Sequence, residues 1–191
     1  MTNILVYLFA LARTPLRGRL LDVGCGKGLI HAPLKARSRR MNAVEIVGID
    51  AYLPYLRNVK SQGSEAIQAH ASYLPFRDRV FDGVIALEVI EHLSEEEGRR
   101  MLDELERVCR GRIIVSTPKR FEEQGVGDPN PFELHRSAWA AEDFRKRGYK
   151  VRYLPGRLNL FIPFIVVYRL GLFAEQIFAI KEVNYSETQR T

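Results

Sequence analysis

The run LLDVGCGKG, Leu20 to Gly28, joins an apolar, strand-like segment to glycines at every second position, Gly24, Gly26 and Gly28. A glycine turn after a strand exposes backbone N–H groups and lets a ligand approach closely, so nucleotides and related cofactors are the candidates. Two phosphate-binding patterns fail here. A P-loop needs glycine, four residues, then Gly-Lys-Ser/Thr, but Gly26-Lys27 is followed by Gly28 and Leu21 stands where the first glycine belongs. The pattern G-x-G-x-x-G fits Gly24 and Gly26, and its third place falls on Leu29. Asp22 points the same way. A carboxylate beside a pyrophosphate at about 4–6 Å costs of order a kcal/mol or more, whereas it suits a ligand carrying an ammonium and a sulfonium. Asp50 ends the next apolar run, VGID, where a carboxylate accepts hydrogen bonds from both hydroxyls of a ribose. Acid, glycine turn and acid together describe a pocket for a cationic nucleoside.

These residues need a scaffold that holds two strand ends side by side. Arg19–Val23, Val44–Ile49, Ala66–Ala69, Phe81–Leu87, Arg112–Ser116, Lys150–Leu154 and Gln176–Glu182 read as short strands bounded by glycine, proline or polar residues. Helical signals lie between them. Pro54 opens one helix and Gly63 closes it, with Leu56 and Val59 inside. Ser94 and Glu97 form a capping box ahead of Met101, Leu102, Leu105, Val108 and Cys109, which repeat at helical spacing and place Cys109 on the buried face of that helix. A helix around Phe144 ends at Gly148. Alternating strands and helices predict an α/β fold with a mostly parallel sheet covered on both faces, its last strands forming an antiparallel edge.

The chain of 191 residues reads as one domain, with residues 1–17 as an N-terminal helical segment and 158–173 as an apolar insertion before the last strand. The insertion, LNLFIPFIVVYRLGLF, is short for a membrane span and contains Pro163, Arg169 and Gly171. Its readings are core, a homodimer contact, or peripheral contact with a membrane surface. The net charge of +6 comes from charges of alternating sign, which describe a diffuse basic surface sooner than a nucleic-acid patch. Two cysteines in unrelated contexts predict free thiols and a cytoplasmic protein. Those cysteines and four scattered histidines show no metal-ligand spacing, so no metal is expected.

The blocks LDVGCGKG, VGIDAYLPYL, YLPFRDRVFDGVIALEVIEHL and GRIIVSTPK, in this order, resemble the class I S-adenosylmethionine-dependent methyltransferases over roughly Gly18 to Leu154. Within that family the likeness is to the group that includes quinone-biosynthesis and other small-molecule enzymes. The resemblance implies a Rossmann-like seven-stranded sheet in the order 3-2-1-4-5-7-6, with the last strand antiparallel. It puts Asp22, Gly24, Cys25 and Gly26 around the methionine part of the cofactor, Asp50 on the ribose, and Ala51 and Tyr52 on the adenine side. Many relatives carry an acid at the adenine contact before A-x-x-LPF, where this chain has His70 and then Ala71. Leu87, Glu88 and His92 are implied to face the cofactor from the fourth strand.

Methyl transfer is an in-line displacement at a sulfonium carbon, so the protein mainly aligns the reactants and removes water. His92 is either a base or polar contact for the acceptor, or a cap for the helix that follows it. His135, after the loop EEQGVGDPNP, either faces the acceptor or holds loop backbone. Trp139 reads as core, with an aromatic wall for the acceptor as its other use. The fourth strand ends in ALEV, without the Asn/Asp-Pro-Pro-Tyr block associated with methylation of amide or base nitrogens, and neither cysteine suits covalent attack on a pyrimidine. A small, lipophilic acceptor leads. An RNA methyltransferase is the alternative, suggested by Lys35, Arg37, Arg39 and Arg40 and by Arg145, Lys146 and Arg147, and a cofactor-binding scaffold without turnover is the third reading.

Overall fold

The computed structural model describes residues 4–15, 17–38, 44–119, 130–155 and 174–183. The elements run α1 (Ile4–Arg13), β1 (Arg19–Val23), α2 (His31–Ser38), β2 (Glu45–Asp50), α3 (Leu53–Ser61), β3 (Glu65–Gln68) and β4 (Phe81–Leu87). They continue through a 3-10 turn (Ile90–His92), α4 (Glu95–Val108), β5 (Cys109–Pro118), α5 (Ala141–Arg145), β6 (Lys150–Pro155) and β7 (Ala174–Glu182). The strands form one seven-stranded sheet in the order β3-β2-β1-β4-β5-β7-β6, as the resemblance implies. β7 runs antiparallel to both β5 and β6, and the other described pairings are parallel.

Side-chain alternation on the strands explains why both faces need cover. On one face Leu21, Val23, Val47, Ile49, Val84, Ala86, Ile113 and Val115 pack with Met101, Leu102, Leu105 and Val108 of α4 and Phe144 of α5. On the other, Leu20, Ile46, Ile85, Ile114 and Phe178 meet Val6 and Ala10 of α1 and Leu34 of α2. Each fully buried aliphatic or aromatic side chain contributes roughly 1.5–3 kcal/mol. α4 starts as its sequence predicts: the Ser94 N–H donates to Glu97 Oε2 at 2.9 Å and the Glu97 N–H donates to Ser94 Oγ at 3.3 Å. Gly98 on this helix lies against Trp139, whose ring carbon would be 2.3 Å from an added Cβ. Trp139 is therefore core, 6% exposed.

One placement is corrected. Cys109 is fully buried, but it opens β5 beside Phe81 and does not belong to the helix. The helical period of α4 continues into Cys109, while a contact between strands ends the helix: the tight approach of β4 and β5 at Gly111. A Cβ there would lie 2.1 Å from the Asp82 carbonyl oxygen, so only glycine allows the two strands to pair from Cys109 onward. β5 is accordingly longer than the apolar run at Arg112–Ser116. The predicted segment 158–173, and with it any core, dimer or membrane role, lies outside the described residues, as do Arg39 and Arg40. Among the described residues no helix is long and apolar enough to cross a membrane.

Candidate active site

The carboxyl ends of β1, β2 and β4 converge on a cleft of about 680 Å3. That falls within the roughly 300–1,000 Å3 typical of small-molecule sites, and this end of an open α/β sheet is where such ligands bind. β1 ends in the glycine loop, where Gly24, Gly26 and Gly28 have φ of +65°, +51° and +73°. Glycine adopts these angles without the steric cost a Cβ would bring. The loop is tied to the next strand twice. The Cys25 N–H donates to the Ile49 carbonyl at 2.9 Å, and the Gly26 N–H donates to Asp50 Oδ2 at 2.9 Å. The other Asp50 oxygen, Oδ1, accepts the Tyr52 N–H at 2.8 Å. Asp50 thus joins the end of β2 to the glycine loop and lines the cleft beside Gly26. Burial raises its pKa above the ordinary carboxylate value, the two N–H donors oppose the rise, and the Asp22 and Glu133 charges add to it.

Of the residues singled out from the sequence, Gly24, Cys25, Gly26, Asp50, Ala51, His70, Ala71, Leu87, Glu88, His92 and His135 line this one cleft. Asp22 and Tyr52 do not. Asp22 is 4% exposed and pairs with His31, the first residue of α2, through a 2.9 Å contact between Oδ2 and Nε2. Gly48 makes room for this pair, since a Cβ there would sit 2.9 Å from Cys25 Sγ and 3.1 Å from His31 Cε1. Tyr52 packs edge-on against Tyr55, whose ring takes the lining position, and the Tyr55 hydroxyl donates to Glu133 Oε1 at 3.2 Å. His70 Nδ1 accepts the Ser72 N–H at 3.3 Å, and its Nε2 lies 3.9 Å from Glu97 Oε1.

β4 supplies the opposite group. Glu88 has φ of +56°, a left-handed conformation that costs a non-glycine residue about 1–3 kcal/mol and directs the chain sharply into the 3-10 turn. Its Oε1 accepts the Ser116 hydroxyl at 2.6 Å. Glu91 follows, 3% exposed, with neither carboxylate oxygen in a hydrogen bond. Burial, and then the Glu88 charge, push its pKa well above the ordinary value; the Thr117 hydroxyl opposes this from outside hydrogen-bonding geometry. Burial and the His135 ring lower the His92 pKa, and the Glu133 charge, followed by the Leu134 and Glu133 carbonyls, opposes that change. The His92 and His135 rings are 5.0 Å apart. They meet because the Arg136 and Ser137 N–H groups donate to the Glu91 carbonyl at 2.7 and 3.1 Å.

Sequence reasoning missed Tyr7, Tyr55, Glu91 and Glu133 in this cleft. Tyr7 comes from α1 and its hydroxyl is raised well above the ordinary tyrosine pKa by burial and by Asp22, Glu88 and Glu133. No local pattern marks these residues. The nearest signal for Glu91 is its place between Glu88 and His92, which puts a second acid beside a residue already singled out.

Neither thiol is reactive in this setting. Burial, followed by the Asp22 and Asp50 charges, raises the Cys25 pKa far above the usual value, and burial pushes Cys109 up to about 11. A colorimetric disulfide reagent at pH 8 should find no fast-reacting thiol in the native protein and both after unfolding, because the thiolate is the nucleophile. A fast native phase would contradict the burial of Cys25.

Residues 21–115 match the family model described as a methyltransferase domain. The human probable tRNA methyltransferase 9B is 37% identical over 116 residues, which cover 56% of this chain and 24% of that protein. The ubiquinone biosynthesis O-methyltransferase of Azorhizobium caulinodans is 39% identical over 88 residues, 42% of this chain and 33% of that protein. The chain therefore spans about a quarter to a third of these relatives' lengths. Among solved structures, a methyltransferase in complex with the Haloferax volcanii Trm112 activator has a TM-score of 0.70 at 16% identity, covering 97% of this chain and 91% of that one. With the sheet order, the glycine loop bridged to Asp50 and these matches together, the chain belongs to the class I S-adenosylmethionine-dependent methyltransferases, whose cofactor is S-adenosylmethionine.

Proposed function

We propose that this chain transfers the methyl group of S-adenosylmethionine to an oxygen of a small acceptor bound in the same cleft. The observation that carries the reading is the make-up of the cleft walls: Asp50 and the glycine loop, with Glu88, Glu91, His92 and His135 lining the same space. The residues fit the cofactor. An added Cβ at Gly26 would meet nothing within 4 Å, so the loop leaves open a space that a ligand can fill. Acidic groups lining it favour a ligand with positive charges.

In this reading the free lone pairs of the Asp50 carboxylate accept from the ribose hydroxyls, while Gly24, Cys25 and Gly26 follow the methionine part. Ala51, His70 and Ala71 border the adenine side, and Leu87 and Glu88 line the cleft from β4. Asp22 and Tyr52 support the site from behind it: Asp22 through its charge and its His31 partner, Tyr52 through the N–H bonded to Asp50. Bound S-adenosylmethionine supplies an electrophilic methyl on sulfur, and its transfer leaves a neutral thioether. His92 and His135 hold the acceptor hydroxyl, which gives up its proton to solvent as the oxygen–methyl bond forms. The two buried free thiols support a cytoplasmic setting.

A labelled-methyl screen across phenolic, lipid-like, small-amine and RNA acceptors tests the proposal. Label on a phenolic or other hydroxyl oxygen is the expected result. Label on nitrogen alone overturns the oxygen reading. The likeness to tRNA methyltransferase 9B favours a second reading, transfer to RNA. Label in RNA, with binding that weakens steeply as salt rises, would establish that reading instead.

A further inference from the structure

We infer that Glu91, His92 and His135 bind a divalent first-row transition cation at the edge of the cofactor cleft, with open coordination positions for an acceptor oxygen. One potential donor atom from each of the three residues lies within 4.8 Å of the others. Around a cation with bonds of about 2.1 Å, tetrahedral donors lie about 3.4 Å apart, so closure requires movements of about 1 Å, within the reach of side-chain rotation.

The groups themselves argue for an occupant. The Glu91 carboxyl is almost completely buried, both of its oxygens lack a hydrogen bond, and Glu88 stands close enough to repel its charge. A buried polar group without a partner costs roughly 1–3 kcal/mol, more when charged, and is rare in a folded protein. His92 Nδ1 is likewise buried and without a partner. The Leu134 and Glu133 carbonyls, which favour a proton on the His92 ring, are suited to hold one ring N–H, which leaves the other nitrogen able to bind a ligand. Metal-bound histidines are oriented in this way. The backbone reinforces the convergence, since the Glu91 carbonyl accepts the N–H groups of Arg136 and Ser137, the residues that follow His135. Two imidazoles and one carboxylate suit zinc, manganese, iron or cobalt better than magnesium or calcium, which prefer oxygen ligands throughout.

Three protein ligands leave at least one position open, and His92 and His135 line the cofactor cleft. An acceptor hydroxyl bound there would lose its proton to solvent more readily, because the cation lowers the pKa of an oxygen ligand. The oxygen–methyl bond forms as the sulfur–methyl bond breaks, the electron pair of the latter stays on sulfur, and the histidines act as ligands in place of bases. This acceptor role rests on the methyl-transfer reading; cation binding does not.

The test uses the full chain without an affinity tag, stripped with a chelator and dialysed. Cobalt(II) chloride is titrated while the visible absorption is followed, and zinc and manganese chloride are titrated by calorimetry. One saturable site with cobalt ligand-field bands is expected. His135 is only half-buried, so His135→Ala is suited to keep its fold, which far-UV circular dichroism checks. This variant should weaken binding at least 10-fold, and Glu91→Gln should do the same. Absence of saturable binding for all three cations, or unchanged affinity in a folded His135→Ala protein, overturns the inference. Adding catechol to the cobalt form should shift its bands, and unaltered bands overturn the acceptor role. Calorimetry with S-adenosylhomocysteine on the same stripped protein reads the cofactor site separately. Product binding without cation binding removes this inference alone, and cation binding without product binding removes the methyl-transfer reading alone.

Discussion

Asp50→Ala should weaken binding of S-adenosylhomocysteine by about 10- to 100-fold, the equivalent of the roughly 1.5–3 kcal/mol carried by hydrogen bonds to a charged group. Two losses combine. In the proposed binding mode the ribose hydroxyls lose a charged acceptor, and the glycine loop loses the 2.9 Å bond from the Gly26 N–H that sets its distance from β2. The Tyr52 N–H, which opens the turn into α3, loses its partner as well. Asp50→Asn separates these contributions, because it keeps one oxygen acceptor and removes the charge. It should fall between the wild-type chain and Asp50→Ala. Calorimetry showing wild-type affinity in a folded Asp50→Ala protein would refute the ribose assignment.

Gly26→Val is expected to remove product binding beyond the range of calorimetry while leaving the fold intact. At φ of +51° a β-branched residue is strained by roughly 1–2 kcal/mol, a modest loss for a domain of this size. No protein atom lies within 4 Å of the position its Cβ would take, so the sheet and helices need not move. The new side chain instead takes the space proposed for the ligand. Gly24→Val makes the contrast, since there an added Cβ would be 2.4 Å from the Val89 side chain and the damage should appear in the melting temperature. Product affinity in Gly26→Val close to that of the wild type would show that the ligand does not follow the loop.

Both outcomes depend on residues that are legible in the sequence because their chemistry is local. Glycines at alternate positions after a strand, and an acid at the end of the next, report backbone angles and a charge at the tip of a known element. The capping box at Ser94 and Glu97 is legible for the same reason. The end of α4 was not, because Cys109 satisfies the helical period and only the contact of Gly111 with Asp82 in another strand turns the chain into β5. Asp22 shows a different limit. Its position in the chain is the one expected of a binding acid, yet its Oδ2 is taken by His31, a residue whose partner depends on how α2 packs beside Gly48.

By itself the sequence determined the order of the seven strands, the helices that follow Pro54 and Ser94, the glycine loop and the carboxylate that anchors it, since hydrophobic period, turn chemistry and charge placement act over short stretches of chain. Tertiary structure alone decided where these histidines lie. His31 is drawn into the interior opposite Asp22, while His92 and His135, far apart in the chain and without metal-ligand spacing, are brought within 5.0 Å ring to ring beside Glu91. Spacing along a chain reports proximity only within one element. Here the partners come from a turn after β4 and a segment after β5, and the hydrogen bonds to the Glu91 carbonyl join them.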